Sequence, residues 1–430
     1  LSSGLLRHSN SMKIGEMRDP VNLAPSCEFL ELNIMSKAPM VSFIRIMILK
    51  PYLSGVNMRN KIIEARDIVK WYGNVLALNH VTFDVKEGDF YVIMGPSGCG
   101  KSTLVKIIAG ILDYDEGELY IKGEDVKNVP AYKRDISMML ESYACWPHMN
   151  VFDNVAFGLK MLGKPRSEIK NKVSEVLELV GLRGFEKRYP HELSGGQKQR
   201  TALARALAIE PAVLLLDEPF TRLDYRLQRK LMEDFKIIHD KLGTTFVLTT
   251  HHQEHGLSLA DEMMIMNTGV IEQIGTPQEI YNRPKTVFAA RFVGAITLLP
   301  GTVTDLKGDQ YIVSTEIGDF KAKALEEGLL KEKVAYAIRP QYIKFGPRAS
   351  DQENKISANL LEYYYFGENV ELIFEAEKNI MVKVMIPQSD LGYVKVGERY
   401  QLGWSADDAI LIKKPSVIEG LDVEEVIYGR

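Results

Sequence analysis

The chain has 430 residues, room for two or three domains of ordinary size, and its 46% hydrophobic and 26% charged content suits a globular protein that buries its own core. Lys plus Arg is 53 and Asp plus Glu is 57, so the formal charge of −4 excludes a broad basic face for nucleic acid. The cysteines Cys27, Cys99 and Cys145 have neither metal-site nor redox-motif spacing and read as reduced thiols of a cytosolic protein, and no run approaches the ~20 apolar residues of a bilayer-crossing helix.

Residues 1–57 stand apart. Apolar patches such as Met40-Val41-Ser42-Phe43-Ile44 lie among turn residues without a sustained period, and nothing there has the layout of a signal peptide. Two readings stand: a misplaced start or weakly ordered leader with Met58 as the working initiator, or an amphipathic segment for a membrane surface. From Ile62 the pattern tightens. Ile62 to Tyr72 and Val81 to Val85 read as strands, and Phe90 to Met94 is a continuous apolar run, as in a strand buried on both faces. A helix follows, with Leu104, Ile107, Ile108 and Ile111 on one face. Helical spacing dominates a segment at about 142–207. Further buried strands are expected at Ala212 to Leu216 and Thr245 to Thr249, then a strand and turn from Met263 to Gly269. Buried strands alternating with helices predict an α/β fold with a parallel sheet. After about Val293 short strands crowd together, at Tyr311–Val313, Val334–Ile338, Val370–Phe374, Met381–Val384 and Ile410–Ile412. They predict a small all-β domain, barrel or sandwich. The expected division is 1–57, 58–294 with its helical insert, 295–420, and a tail at 421–430.

Gly95-Pro96-Ser97-Gly98-Cys99-Gly100-Lys101-Ser102-Thr103 has the P-loop spacing, between a buried strand and a helix. Glycines let successive N–H groups turn toward phosphate oxygens, and the helix start adds its positive dipole end. Lys101 is placed to reach the β- and γ-phosphates of a nucleoside triphosphate and Ser102 to ligate Mg²⁺. Cys99 sits at a variable position and reads as structural. Asp217-Glu218 ends the second buried run. An aspartate there can hold Mg²⁺ through water, and the glutamate beside it can take a proton from an attacking water. Leu193-Ser194-Gly195-Gly196-Gln197 is a second polar, glycine-rich helix start, read either as another anion-binding surface or as a turn capping its own helix.

These motifs, in this order, resemble the ATP-binding cassette (ABC) transporter ATPases, over roughly Ile62 to Lys413. The resemblance implies a P-loop NTPase cassette with a helical subdomain, followed by an OB-fold-like (TOBE) regulatory domain. It implies a head-to-tail dimer, homodimer or with a paralogous ATPase, in which Ser194 to Gln197 of one chain face the ATP held by the other. It casts Asp224 as the D-loop contact to the opposite chain, His251 as the γ-phosphate switch histidine, and Tyr72 as the adenine-stacking aromatic, with a core tyrosine the other reading. Position 141 holds Glu141 where the family usually has a glutamine that ligates Mg²⁺ and senses the permease. Lys198, Arg222 and His252 depart from the pattern as well, and His252 leaves open which of two neighbouring histidines is the switch. Segments at 142–159 and 275–284, with Arg339-Pro340 and Gly367 to Val370, are similar to importers of the maltose type and of related polyamine, iron and anion types.

That resemblance implies an importer ATPase, for sugar or alternatively for a polyamine, iron or an oxyanion. Its partners would be membrane permease subunits and, indirectly, an extracytoplasmic solute-binding protein, with no nucleic acid. It would be cytoplasmic and held to the inner face of the membrane by the permease. A soluble nucleic-acid-associated cassette would carry paired cassettes, zinc motifs or coiled coils, and none is present. A non-hydrolytic regulatory cassette is suggested only by Glu141 and Arg222 and opposed by Lys101, Asp217, Glu218 and the signature.

Overall fold

A computed structural model describes residues 60–142, 145–221, 223–413 and 415–417, all within the unit spanning 58–430. The expectations for residues 1–57, for Tyr143, Ala144 and Arg222, and for the 421–430 tail lie outside the described residues. Strands β1 (Lys61–Tyr72) and β2 (Val75–Lys86) form a hairpin. β3 (Phe90–Met94) runs through the glycine loop into α1 (Lys101–Ile108). There follow β4 (Glu116–Ile121), β5 (Glu124–Asp125), β6 (Ile136–Met139), α2 (Val151–Met161), α3 (Arg166–Leu179), α4 (Gly195–Leu207) and β7 (Val213–Asp217). Then come α5 (Tyr225–Leu242), β8 (Thr245–Thr250), α6 (Gln253–Leu259), β9 (Glu262–Asn267), β10 (Val270–Gly275), α7 (Pro277–Asn282) and α8 (Val287–Phe292).

The central sheet has the order β10-β9-β3-β8-β7-β6, parallel from β9 to β6 with β10 antiparallel at one edge. Its inner strands are buried and mostly apolar because both faces are covered, with Thr245, Thr249 and Thr250 the polar residues of β8. Side chains alternate between those faces. Phe90, Val92, Met94, Leu214, Leu216, Phe246 and Leu248 join the core beneath α2 to α5. Tyr91, Ile93, Val213, Leu215 and Val247 join the core beneath α1 and a second, antiparallel sheet of order β2-β1-β4-β5. Each fully buried aliphatic or aromatic side chain contributes roughly 1.5–3 kcal/mol, so this two-sided packing fixes the carboxyl ends of the parallel strands, where the site lies.

The helix after the glycine loop stops earlier than the apolar spacing predicts. It ends at Ile108, and Ile111, expected on its buried face, is exposed. Gly110 takes a φ of 74°, which halts the helix at its carboxyl end. The expected helical segment is present as α2, α3 and α4. Thr276 begins α7 with a reciprocal cap to Glu279, with Pro277 in the first turn, and Thr286 caps α8.

Beyond α8 the described residues form ten strands, β11 (Thr297–Lys307), β12 (Gln310–Thr315), β13 (Gly318–Lys323), β14 (Lys333–Ile338), β15 (Lys344–Phe345), β16 (Asn354–Tyr365), β17 (Asn369–Glu375), β18 (Met381–Pro387), β19 (Arg399–Trp404) and β20 (Ile410–Ile412). They form two five-stranded antiparallel sheets, β13-β12-β11-β14-β20 and β15-β19-β16-β17-β18, around a shared core. Trp404 is buried there and donates its indole N–H to the Tyr336 hydroxyl at 2.7 Å. Arg339, at the end of β14, is buried against the connecting helices. Its guanidinium donates to the carbonyls of Tyr281, Ala290 and Gly294 at 2.9–3.1 Å and lies over the Tyr281 ring. Among the described residues no helix is long and apolar enough to cross a membrane.

Candidate nucleotide site

The glycine loop is pinned from below. A Cβ on Gly95 would lie 2.4 Å from the Met266 carbonyl oxygen, and one on Gly100 would lie 2.7 Å from that of Ala77. Glycine at these positions lets the backbone pass against β9 and β2. No side chain caps the start of α1, so its first N–H groups are left for a ligand. Lys101 is buried, and its ammonium donates to the carbonyls of Gly95 and Pro96 at 2.9 and 3.0 Å. It also lies 3.7 Å from a carboxylate oxygen of Glu218. Burial pushes the Cys99 thiol pKa up, which suits an inert side chain in the loop.

The acidic pair is set by β7 and held by β8. Asp217 Oδ1 accepts from the hydroxyls of Ser102 and Thr249, both at 2.8 Å. The same Thr249 oxygen accepts the Glu218 N–H at 3.0 Å. Glu218 has a φ of 47°, a left-handed backbone that costs a side-chain-bearing residue roughly 1–3 kcal/mol. That turn carries its carboxylate to the Nδ1 of His251, 3.0 and 3.1 Å from the two oxygens. Ser102, Lys101, Asp217, Glu218 and His251 are thus one connected cluster across α1, β7 and the end of β8.

Two further histidines extend it. The His252 ring lies tilted against that of His251 with centroids 4.2 Å apart, and His255 follows at 4.8 Å from His252. His255 is buried, and its Nδ1 shares a 3.0 Å hydrogen bond with the Thr250 hydroxyl. Burial, reinforced by the other two histidines, pushes its pKa down to about 4, so it is neutral at physiological pH. Burial and His251 lower that of His252 as well. Of the two candidates for the switch, His251 touches Glu218, and His252 turns toward His255.

Other expected site residues lie elsewhere. Tyr72 ends β1 with 48% of its surface exposed and the Lys70 ammonium 5.9 Å from its ring centroid, on the hairpin whose β2 arm approaches Gly100. Glu141 follows β6, whose Met139 pairs with Leu216, so it stands at the same sheet end as Asp217. Ser194 caps α4 reciprocally: Gln197 N–H donates to its hydroxyl at 3.4 Å, and Gln197 Oε1 accepts the Ser194 N–H at 2.9 Å. Asp224 caps α5 by accepting from the Leu227 N–H at 3.1 Å. Among the described residues no hydrogen bond joins Ser194 to Gln197, or Asp224, to the phosphate loop. Sequence reasoning overlooked Thr249, which positions both acids. A threonine pair interrupting an apolar strand at its carboxyl end is the signal that could have found it.

Among the described residues no three His, Cys, Asp or Glu side chains gather as a metal cage. The hydroxyl of Ser102 with the buried carboxylate of Asp217 is a hard oxygen pair of the kind Mg²⁺ takes when its remaining ligands are water and phosphate.

A family model described as ABC transporter matches residues 78–221, and one described as TOBE domain matches 336–412. The spermidine/putrescine import ATP-binding protein PotA of Trichormus variabilis is 40% identical over 331 residues, 76% of this chain and 87% of that protein. The chain belongs to the ABC transporter ATPases. PotA proteins of Clostridioides difficile (42% identity; 73% of this chain, 88% of that one) and Nitrosospira multiformis (36%; 82% and 99%) are similar along nearly their whole lengths. As an ABC ATPase the chain works with ATP and Mg²⁺, and the all-β half carries the TOBE region expected from its strand texture.

Proposed function

We propose that this ABC ATPase energises the import of a polyamine, with the cluster around Glu218 as its hydrolytic half-site. The relatives at 36–42% identity, similar through both halves of the chain, are named for spermidine and putrescine import. Polyamine is one of the three alternatives to sugar that the resemblance implies, beside iron and an oxyanion, and the relatives cited are named for none of the others.

In the proposed chemistry the loop from Gly95 to Thr103 wraps the phosphates with its backbone N–H groups. Lys101 leaves the carbonyls of Gly95 and Pro96 for the β- and γ-phosphates. Ser102 and Asp217 would hold Mg²⁺, which when bound neutralises phosphate charge. Glu218 orients the attacking water and accepts its proton, while His251 steadies the carboxylate and contacts the γ-phosphate. Tyr72 stacks on the adenine. Ser194, Gly195, Gly196 and Gln197, with Asp224, complete the site of a second copy in a head-to-tail dimer. Contacts that exist only in the closed dimer would supply the free energy for transport.

The ATPase region is read as 58–294 and the regulatory region as 295–420. The partners are a membrane permease, which holds the chain at the cytoplasmic face of the membrane, and through it an outer solute-binding protein. The proposed seat for that permease is the segment from Trp146 to Asn154. Buried Asn154 joins Trp146, Met149 and Asn150 through its amide, and Arg205 of α4 lies 4.6 Å over the Trp146 ring. A push on this loop reaches the helix that begins at the signature. The deciding experiment reconstitutes the chain with its permease and solute-binding protein in vesicles. Spermidine or putrescine should stimulate ATP hydrolysis and maltose should not; stimulation by maltose alone would overturn the polyamine reading.

A further inference from the structure

Glu272 is a carboxylate inside β10, only 4% exposed, and the chemistry above leaves it without a role. A buried carboxylate is tolerated when donors satisfy it. Three do so here. Asn267 Nδ2 donates to Oε1 at 3.2 Å, the Ser416 hydroxyl donates to the same oxygen, and the Val417 N–H donates to Oε2 at 3.1 Å. The donors come from two distant parts of the sequence. Asn267 ends β9, whereas Ser416 and Val417 follow β20, the last strand of the all-β half. That returning strap is fixed again where the Phe288 N–H donates to the Pro415 carbonyl at 3.1 Å.

Asn267 opens a turn that touches the phosphate loop. Two residues on, the Gly269 N–H donates to the Cys99 carbonyl at 3.0 Å, and the Gly269 carbonyl accepts from Asn79 at 2.9 Å. Just before the turn, the Met266 carbonyl abuts Gly95 so closely that a Cβ there would sit at 2.4 Å. The loop therefore rests on the end of β9 and on this turn. We propose that Glu272 is a positioning residue for nucleotide binding: with the strap from Pro415 to Val417 closed on it, it holds the turn from Asn267 to Gly269 against the loop. The inference rests on reading 95–103 as the nucleotide cradle. It ties the exit of the all-β half to ATP affinity, and not to the hydrolytic step.

The test uses the full chain, a fluorescent non-hydrolysable ATP analogue, steady-state hydrolysis and thermal melting as the check on folding. Glu272→Ala, Asn267→Ala and Ser416→Asp, the last placing a second carboxylate against Glu272, should weaken analogue binding roughly three- to tenfold. KM for ATP should rise in step while kcat stays within about twofold, a split that general loss of structure would not give. Should Glu272→Ala fail to fold, the other two variants decide. Unchanged binding in folded Asn267→Ala and Ser416→Asp overturns the proposal while the nucleotide site stands. If the parent chain itself binds no analogue, the cradle reading falls and takes this proposal with it.

Discussion

The phosphate-loop side and the signature side of this chain are both glycine-rich helix starts, yet they are finished differently. Around the phosphate loop, polar groups from separate elements meet: Ser102 and Thr249 on Asp217, and Lys101 and His251 on Glu218. The start of α1 has no side-chain cap, whereas the start of α4 is closed on itself by Ser194 and Gln197. One surface leaves its first N–H groups uncapped; the other is closed by its own side chains and packs against Leu223 and Leu227. A helix start that is already capped can meet a ligand as a rigid block, which is what a surface contributed to a neighbour's site requires.

The largest effect that would break this contrast is at Glu218. Glu218→Gln should lower hydrolysis by roughly 10²–10⁴-fold with ATP binding retained, and ATP should then trap a dimer visible by light scattering. Hydrolysis persisting near the parent rate would remove Glu218 from its proposed role. Next comes complementation. Lys101→Ala damages the assembled surface and Gly195→Asp the capped one, so each chain alone should be inactive. Mixed, they should regain activity, because one of the two composite sites then has an intact half from each chain. No recovery would mean that both surfaces act within one chain.

A smaller effect is expected at Thr249. Thr249→Val deletes the hydroxyl that holds Asp217 and the Glu218 N–H, and should reduce hydrolysis tenfold to a hundredfold, with a shifted Mg²⁺ titration. The histidines beside the assembled half should show in stability. The folded pKa of His255, about 4, lies below the ordinary 6.5. The unfolded chain therefore binds the proton more readily. The contribution is complete above pH 6.5 and is lost as pH falls toward 4, amounting to at most about 3 kcal/mol. Urea titrations from pH 7.5 to 5 should show a decline that His255→Gln flattens. The smallest effect is at Glu141, where Glu141→Gln should move the Mg²⁺ dependence a few-fold. Identical Mg²⁺ titrations would show that the carboxylate substitutes silently for the family's glutamine.

The parts of this molecule that were legible in the sequence are those where one requirement dominates. Phe90 to Met94, buried on both faces, had to be apolar throughout, and the loop after it needs glycine at 95 and 100 because β9 and β2 leave no room there for a side chain. The polar strand Gly318–Lys323 and the long Asn354–Tyr365, exposed from Leu361 onward, gave no such signal and were not foreseen. Ile111 misled because apolar spacing continued past the glycine that stops its helix. Thr249 was invisible for another reason: its importance lies in two hydrogen bonds to a strand some thirty residues away in sequence.

The left-handed backbone at Glu218 has a consequence for any laboratory that tries to improve this protein. Asparagine or glycine would adopt that turn with less strain than glutamate. A screen ranking variants by heat resistance would be drawn toward replacing this residue, whereas a screen ranking them by turnover would reject the replacement. The two selections should diverge at position 218, and a library scored both ways would test the proposed role of Glu218 in hydrolysis without reference to any bound nucleotide.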